Sequence, residues 1–262
     1  MKPSGPKIAL CLSGQARTWK GCYDNWMSTF SPLGNNIDFF CHFWDYNSLP
    51  RQSYSMGNDS SKMMFEDVPL ADDEKNEIIS VLKPKKIKFE SKLTLPENFY
   101  NVKNKVSWWS IDQFNSILKC AHLKRSYEIE HKFQYDVVFR MRSDLFFTNQ
   151  ITLDSQILPN TIHSIHNSFD THWNTYRISD IFFYSDSHTY DQIAGFYKHL
   201  RHIDAAYVTR DTSKLDFPPE IAFYYYLKSI GVTVKPVWVN PVIKRTKDYL
   251  DIKGHLDEYE VI

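Results

Sequence analysis

Apolar and polar positions along this chain switch repeatedly between two periods. Ile8 to Leu12 (IALCL) is a continuous apolar run, the pattern of a strand buried on both faces. Ser13-Gly14-Gln15 breaks it. Tyr23, Trp26, Met27 and Phe30 then recur at i, i+3, i+4 and i+7, which is one face of a helix. Ile37 to Phe43 (IDFFCHF) predicts a second strand ending at Trp44-Asp45. Arg51 to Asp73 is polar and rich in Ser, Met and Asp, and predicts a loop. Glu74 to Leu82 predicts a short helix, and Lys86 to Glu90 (KIKFE) a third strand. Ile111, Phe114, Leu118 and Ala121 mark a long helix from Trp108 to His131, and Val137 to Phe147 a fourth strand.

The second half is less regular. Asp180 to Tyr184 (DIFFY) predicts a strand. Tyr190, Ile193, Ala194 and Tyr197 form a helix face, with Thr189 and Gln192 as a capping box. Phe223, Tyr226, Leu227 and Ile230 form another. That helix is expected to open at Pro218-Pro219-Glu220, with an acid near the positive end of its dipole, and to stop at Gly231. Val232 to Val239 predicts a last strand. Strand and helix alternate through the first half, as in a parallel sheet covered on both faces by helices. The expected fold class is therefore α/β: one domain over residues 1–262, with a Rossmann-like, mostly parallel sheet flanked by helices.

Composition narrows the chemistry. Lys plus Arg and Asp plus Glu both number 31 in 262 residues, so the formal net charge is zero. A basic field suited to nucleic acid is absent, and any anion site must be local. Aromatic residues reach 16%, enough for a heavily aromatic core or for rings that stack on sugars. Cys11, Cys22, Cys41 and Cys120 have neither CxxC nor zinc-finger spacing, and read as buried thiols in a reducing compartment. The polar MKPSGPK start and the five-residue apolar run after it match neither a signal peptide nor a membrane span. The expectation is a cytoplasmic protein, with peripheral attachment to a membrane through a partner as the variant.

One stretch stands apart. Tyr135 to Phe147 reads YDVVFRMRSDLFF, a buried strand by composition that nevertheless carries Arg140, Arg142 and Asp144. Alternation places Val137, Phe139 and Met141 on one face and Val138, Arg140, Arg142 and Asp144 on the other. Ligands of open parallel sheets lie outside the carboxyl ends of the strands. Two cations and one acid there suit a phosphate group, with a divalent metal bridging the acid to it, or else a structural ion pair. The first strand ends similarly, in Ser13-Gly14-Gln15-Ala16-Arg17-Thr18-Trp19 ahead of a helix. A glycine lets backbone approach a ligand, and a helix N-terminus favours an anion. Neither a Walker loop nor G-x-G-x-x-G is present. The second strand ends in His42-Phe43-Trp44-Asp45, which reads either as a third polar strand end on the same rim or as a satisfied core histidine with a helix-capping Asp45.

LCLSGQART, HFWD, YDVVFRMRSD, SDIFFYSD and PPE, in that order, resemble GT-A-fold glycosyltransferases. The likeness is to the small enzymes of large DNA viruses and bacterial surface-polysaccharide clusters. The resemblance implies a nucleotide-sugar donor held by residues 1–147 and a glycan acceptor held by 148–262. It implies Mn²⁺ or Mg²⁺ on an Asp-x-Asp motif, read here as Arg142-Ser143-Asp144, so Asp144 is the metal candidate and the first acid is replaced. By the same resemblance Ser13, Gly14, Gln15, Arg17, Asp45, Arg140 and Arg142 would bind the nucleotide sugar. Glu220 would be the general base, with Asp180 second. His255 would be a late metal ligand. Trp108, Trp109, Trp173, Tyr176 and Tyr224 to Tyr226 could stack on sugar rings. The polar segments 51–73 and 162–177, the latter with His163, His166, Asp170 and His172, would set specificity. Two rivals remain. A sulfotransferase would share the Ser-Gly loop ending in Thr18-Trp19, but Leu12 stands where its lysine is expected. A glycosyltransferase-like fold could also bind carbohydrate without catalysis.

Overall fold

The computed structural model describes residues 5–34, 36–50, 65–91, 108–153, 156–165, 167–170, 175–200, 219–237, 239, 241–244 and 250–251. Its centre is a seven-stranded, mostly parallel mixed sheet flanked by helices, as the alternation predicted. In chain order the elements of the first half are β1 (Ile8–Gly14), α1 (Trp19–Phe30), β2 (Ile37–Trp44), β3 (Tyr46–Pro50), β4 (Phe65–Pro69), α2 (Asp72–Leu82), β5 (Lys86–Glu90), α3 (Trp108–His131), β6 (Val137–Met141) and β7 (Leu145–Phe147). The second half holds β8 (Thr161–Ser164), β9 (Asn167–Asp170), β10 (Thr175–Ile178), β11 (Phe182–Ser185), α4 (Ser187–Ala194), α5 (Pro219–Ser229), β12 (Thr233–Pro236), β13 (Pro241–Lys244) and β14 (Leu250–Asp251).

The sheet order is β12-β8-β11-β6-β1-β2-β5. β1 is central and pairs in parallel with both β2 and β6. Its apolar run is explained by burial on both sides. Ile8, Leu10 and Leu12 enter one core with Phe39, Cys41, Phe139 and Met141, against Trp19, Cys22, Trp26 and Phe30 of α1. Ala9 and Cys11 enter the other, with Phe40, Val138 and Phe183, against α3, α4 and α5. All four cysteines are buried, and none forms a disulfide. Among the described residues no helix is long and apolar enough to cross a membrane.

Several expectations are corrected. Val137 to Phe147 is not one strand. β6 stops at Met141, a turn holds Ser143 and Asp144, and β7 departs to pair with β13 in a second sheet. The second strand is followed by β3, not a helix, so Asp45 caps nothing. Instead it accepts a hydrogen bond from Ser91 Oγ at 2.8 Å. The expected loop at 51–73 contains β4, which pairs antiparallel with β3, and α2 begins at Asp72. Residues 51–64 lie outside the described residues. The early start of α2 follows from Asp72, Asp73 and Glu74 in its first turn, where the dipole favours acids. α4 is capped by Asp186, which accepts from Thr189 N at 3.0 Å, so Thr189 and Gln192 form no capping box. The described residues of segment 162–177 lie mostly in β8, β9 and β10, and His163 is buried in β8, stacked on Tyr184 at 4.5 Å. His166, His172, Trp173, Pro218 and His255 lie outside the described residues, as do the side chains of Trp108, Trp109 and Asp170. α5 does end as expected, with Gly231 at φ +71° and Val232 N bonded to Leu227 O at 2.9 Å.

Trp26 is the main wedge between α1 and the sheet. It is fully buried, and its indole Nε1 donates to Leu145 O at 2.6 Å. Replacing it with Ala should lower stability by about 3–5 kcal/mol, since the cavity cannot refill. Trp26→Phe should recover a large part of that loss. Urea unfolding monitored by circular dichroism measures both.

Candidate functional site

β1 and β6 leave the sheet side by side, and the chain runs opposite ways from them. From β1 it passes to β2 and β5. α3 then returns it to β6 on the other side of β1. Such a reversal leaves a crevice outside the strands' carboxyl ends. The loop 14–17 after β1 and the turn 142–144 after β6 meet there. β11 is antiparallel, with Phe182 opposite Met141, so the residues preceding it, 179–181, reach the same rim.

The loop after β1 is bent by two left-handed residues, Gly14 at φ +119° and Arg17 at φ +47°. A non-glycine residue takes that conformation only when its surroundings hold it. Here Arg17 N donates to Asn47 Oδ1 at 2.7 Å and Arg17 Nε to Gln15 Oε1 at 3.0 Å. Gln15 is itself clasped by Ser48, through Nε2 to Oγ at 2.8 Å and through Ser48 N to Oε1 at 3.0 Å. Ser143 Oγ donates to Gln15 O, tying the turn after β6 to this loop. Ser13 is buried beneath it.

Asp144 sits at the centre with 0% exposure. Arg142 grips it in two-point fashion, Nε to Oδ1 at 2.9 Å and Nη2 to Oδ2 at 2.7 Å, and Arg17 Nη1 reaches Oδ2 at 2.8 Å. Burial works against the charge on Arg142, but Asp144 outweighs it and the guanidinium pKa rises. Arg140, expected on the ligand face, is wholly buried in the core. Its Nη1 donates to Ile181 O at 3.1 Å, while Nε and Nη2 have no hydrogen-bond partner among the described residues. Burial draws Arg140 down to about 10, opposed chiefly by Asp180, so it stays charged at neutral pH.

The two acids proposed from sequence lie close enough for Asp180 to act on Glu220 and for Arg140 and Arg142 to act on Asp180. Burial pushes the Asp180 carboxyl up, and the charges of Arg140 and Arg142 restrain it. Glu220, in the first turn of α5, is also pushed up, first by burial and then by the negative charge of Asp180, with Arg177 opposing. Thus three guanidiniums, Arg17, Arg140 and Arg142, face Asp144 and Asp180, with Glu220 beyond them. Asp45 stands apart from this cluster, although Asn47 and Ser48, two and three residues later, belong to it. Those two were not singled out in the sequence. No local pattern marks them, since both act through contacts to the loop after β1. His42 is a core residue: Nδ1 meets Ser116 Oγ at 2.8 Å and Nε2 meets Glu90 Oε2 at 3.3 Å.

Mn²⁺ or Mg²⁺ requires several hard oxygen donors. Both Asp144 oxygens already hold guanidinium donors, and among the described residues no group of three His, Cys, Asp or Glu is placed to hold a metal. The arrangement fits an anion better than a cation. A larger cleft of about 600 Å³ lies at the opposite end of β6, between α3 and α4. Two of its acids, Glu128 and Asp191, are committed to the buried Lys124 at 2.9 and 3.0 Å. No protein-family profile and no curated protein matches this chain.

Asp144→Asn should cost about 3–5 kcal/mol, because two guanidiniums lose a buried counter-charge. A lowered urea midpoint with unchanged slope checks this. A second expectation concerns acid. Burial, then Lys119 and Lys88, lower His42 from 6.5 to about 3. Between those values the unfolded chain binds the extra proton, so the stability His42 contributes is full above pH 6.5 and is lost as pH falls toward 3. His42→Gln should flatten the fall in stability across that window relative to wild type.

Proposed function

We propose that this chain is a glycosyltransferase that moves a sugar from a nucleotide-sugar donor to a hydroxyl of a glycan acceptor. The observation that carries this reading is the meeting of Arg17 and Arg142 at the switch-point rim with Asp180 and Glu220 across from them. The donor diphosphate would lie against Arg17 and Arg142, over the loop of Ser13, Gly14 and Gln15. In the transfer, the bond between the anomeric carbon and the diphosphate oxygen breaks, and the diphosphate leaves with the electron pair. Guanidiniums already fixed in place stabilise that developing charge without reorganising. The acceptor oxygen bonds to the anomeric carbon, and its proton passes to Glu220. A carboxyl whose pKa is raised by burial and a neighbouring acid is a stronger base than an ordinary one. Asp180 contributes by raising Glu220 and by balancing Arg140 and Arg142.

A direct displacement with Glu220 as base predicts inversion at the anomeric carbon. The arginines carry the phosphate charge in this reading. The Mn²⁺ or Mg²⁺ suggested by the resemblance is kept as a separate arm of the test, and no step is assigned to it.

The test is a thermal-stability screen with nucleoside diphosphates, nucleotide sugars and a 3′-phosphoadenosine compound, each with and without Mn²⁺. Native-state binding raises the melting temperature by mass action. One nucleoside diphosphate and its sugar should raise it, and Arg142→Met should abolish the rise. Dependence on Mn²⁺ would return Asp144 to a metal role. A rise with the 3′-phosphoadenosine compound alone would replace glycosyl by sulfuryl transfer, and no rise at all would leave a carbohydrate binder. Glu220→Gln should keep the donor-induced rise and lose transfer by about 10²–10⁴-fold.

A further inference from the structure

We infer that the acceptor is a glycan of at least two sugar units, seated in the groove between α5, β10 and β12 with a ring against Tyr176 and Tyr224. This rests on the glycosyl-transfer reading above. The groove has a volume of about 340 Å³ and is lined by Tyr176, Ile178, Tyr224, Lys228, Val232 and Val234.

Its position follows from helix periodicity. Glu220, Tyr224 and Lys228 stand at i, i+4 and i+8 of α5, so they form one stripe along the helix. At 1.5 Å per residue the stripe runs about 12 Å from the proposed base to the ammonium group. Tyr224 in the groove lining therefore lies one helical turn from Glu220, where the acceptor hydroxyl would react. Arg177 of β10 acts electrostatically on Glu220, which brings that strand to the same end.

The lining also has the right chemistry. Tyr176 is 44% exposed, a large ring left open on the surface. The Tyr176 and Tyr224 rings lie 5.7 Å apart at 53°, splayed rather than stacked on each other. Sugar rings offer apolar C–H faces and hydroxyl edges. Tyrosines supply a face for the former and Oη for the latter, while Ile178, Val232 and Val234 form an apolar floor. Among the described residues the lining contains one cation, Lys228, and no acid. That balance suits neutral or uronate-bearing sugars and disfavours cationic amino sugars.

The test is binding to a printed panel of neutral, uronate-bearing and amino-sugar oligosaccharides, followed by titration of the best probe. Wild type should bind neutral or uronate-bearing chains, and Tyr176→Ala and Tyr224→Ala should each weaken the best probe at least tenfold. Tyr176→Ala alters an exposed ring, so loss of folding does not confound it. Both variants should keep the thermal rise given by the donor nucleotide. Binding that survives both substitutions, preference for amino sugars, or no glycan binding would overturn the proposal. Glycan binding without any nucleotide response would instead sink the donor reading and leave the groove standing.

Discussion

A carboxylate withdrawn completely from water must be matched by cations, and in this protein that requirement joins the two halves of the rim. Asp144 meets it with Arg142 from its own turn and Arg17 from the loop after β1. The pair contacts explain why the chain breaks after Met141 rather than continuing as strand. They also explain why Arg17 tolerates a left-handed backbone. Gln15, Asn47, Ser48 and Ser143 then have fixed partners around it. Removing the acid would leave two guanidiniums opposed only by their neighbours, so the loop geometry and the local charge are one problem, not two.

The antiparallel β11 adds a feature that a purely parallel sheet lacks. In a parallel sheet the rim collects only strand ends. Here β11 begins at that rim, so Asp180, just before it, can oppose Arg140 and Arg142. The result is a graded field: guanidiniums over the β1–β6 crevice, then Asp180, then Glu220 at the start of α5. Negative charge is welcome at one end and proton affinity is raised at the other.

The sheet was largely legible because β1, β2 and β6 are buried on both faces and write themselves as apolar runs, while α1 and α5 show a clean stripe. The rim was legible for the same reason, since polar residues directly after such runs mark strand ends. Elements that depend on distant partners were not. β3 and β4 are short and polar, and they pair with each other outside the main sheet, so Arg51 to Asp73 read as loop. β8 and β10 lie inside a segment read as polar and acceptor-facing, yet His163 is stacked on Tyr184 in the interior. Alternation placed Arg140 correctly on the opposite face from Phe139. It could not reveal that helices cover that face, or that Ile181 O and the field of Asp180 make the burial tolerable. Asn47 was missed because its role is to fix the Arg17 amide, a contact that no local pattern encodes.

Arg17 and Asp144 are 127 positions apart in the chain. Loop-closure entropy must be met before so distant a pair can form, and contacts of this kind slow folding. The β1–β6 pairing that brings them together cannot exist until α3 has been synthesised and has crossed the sheet. A nascent chain ending before residue 144 therefore has the loop after β1 but no counter-charge to hold Arg17 in place. The anion affinity proposed for this rim would then arise late in folding, so its appearance in refolding would time the completion of the sheet rather than the formation of its first strands.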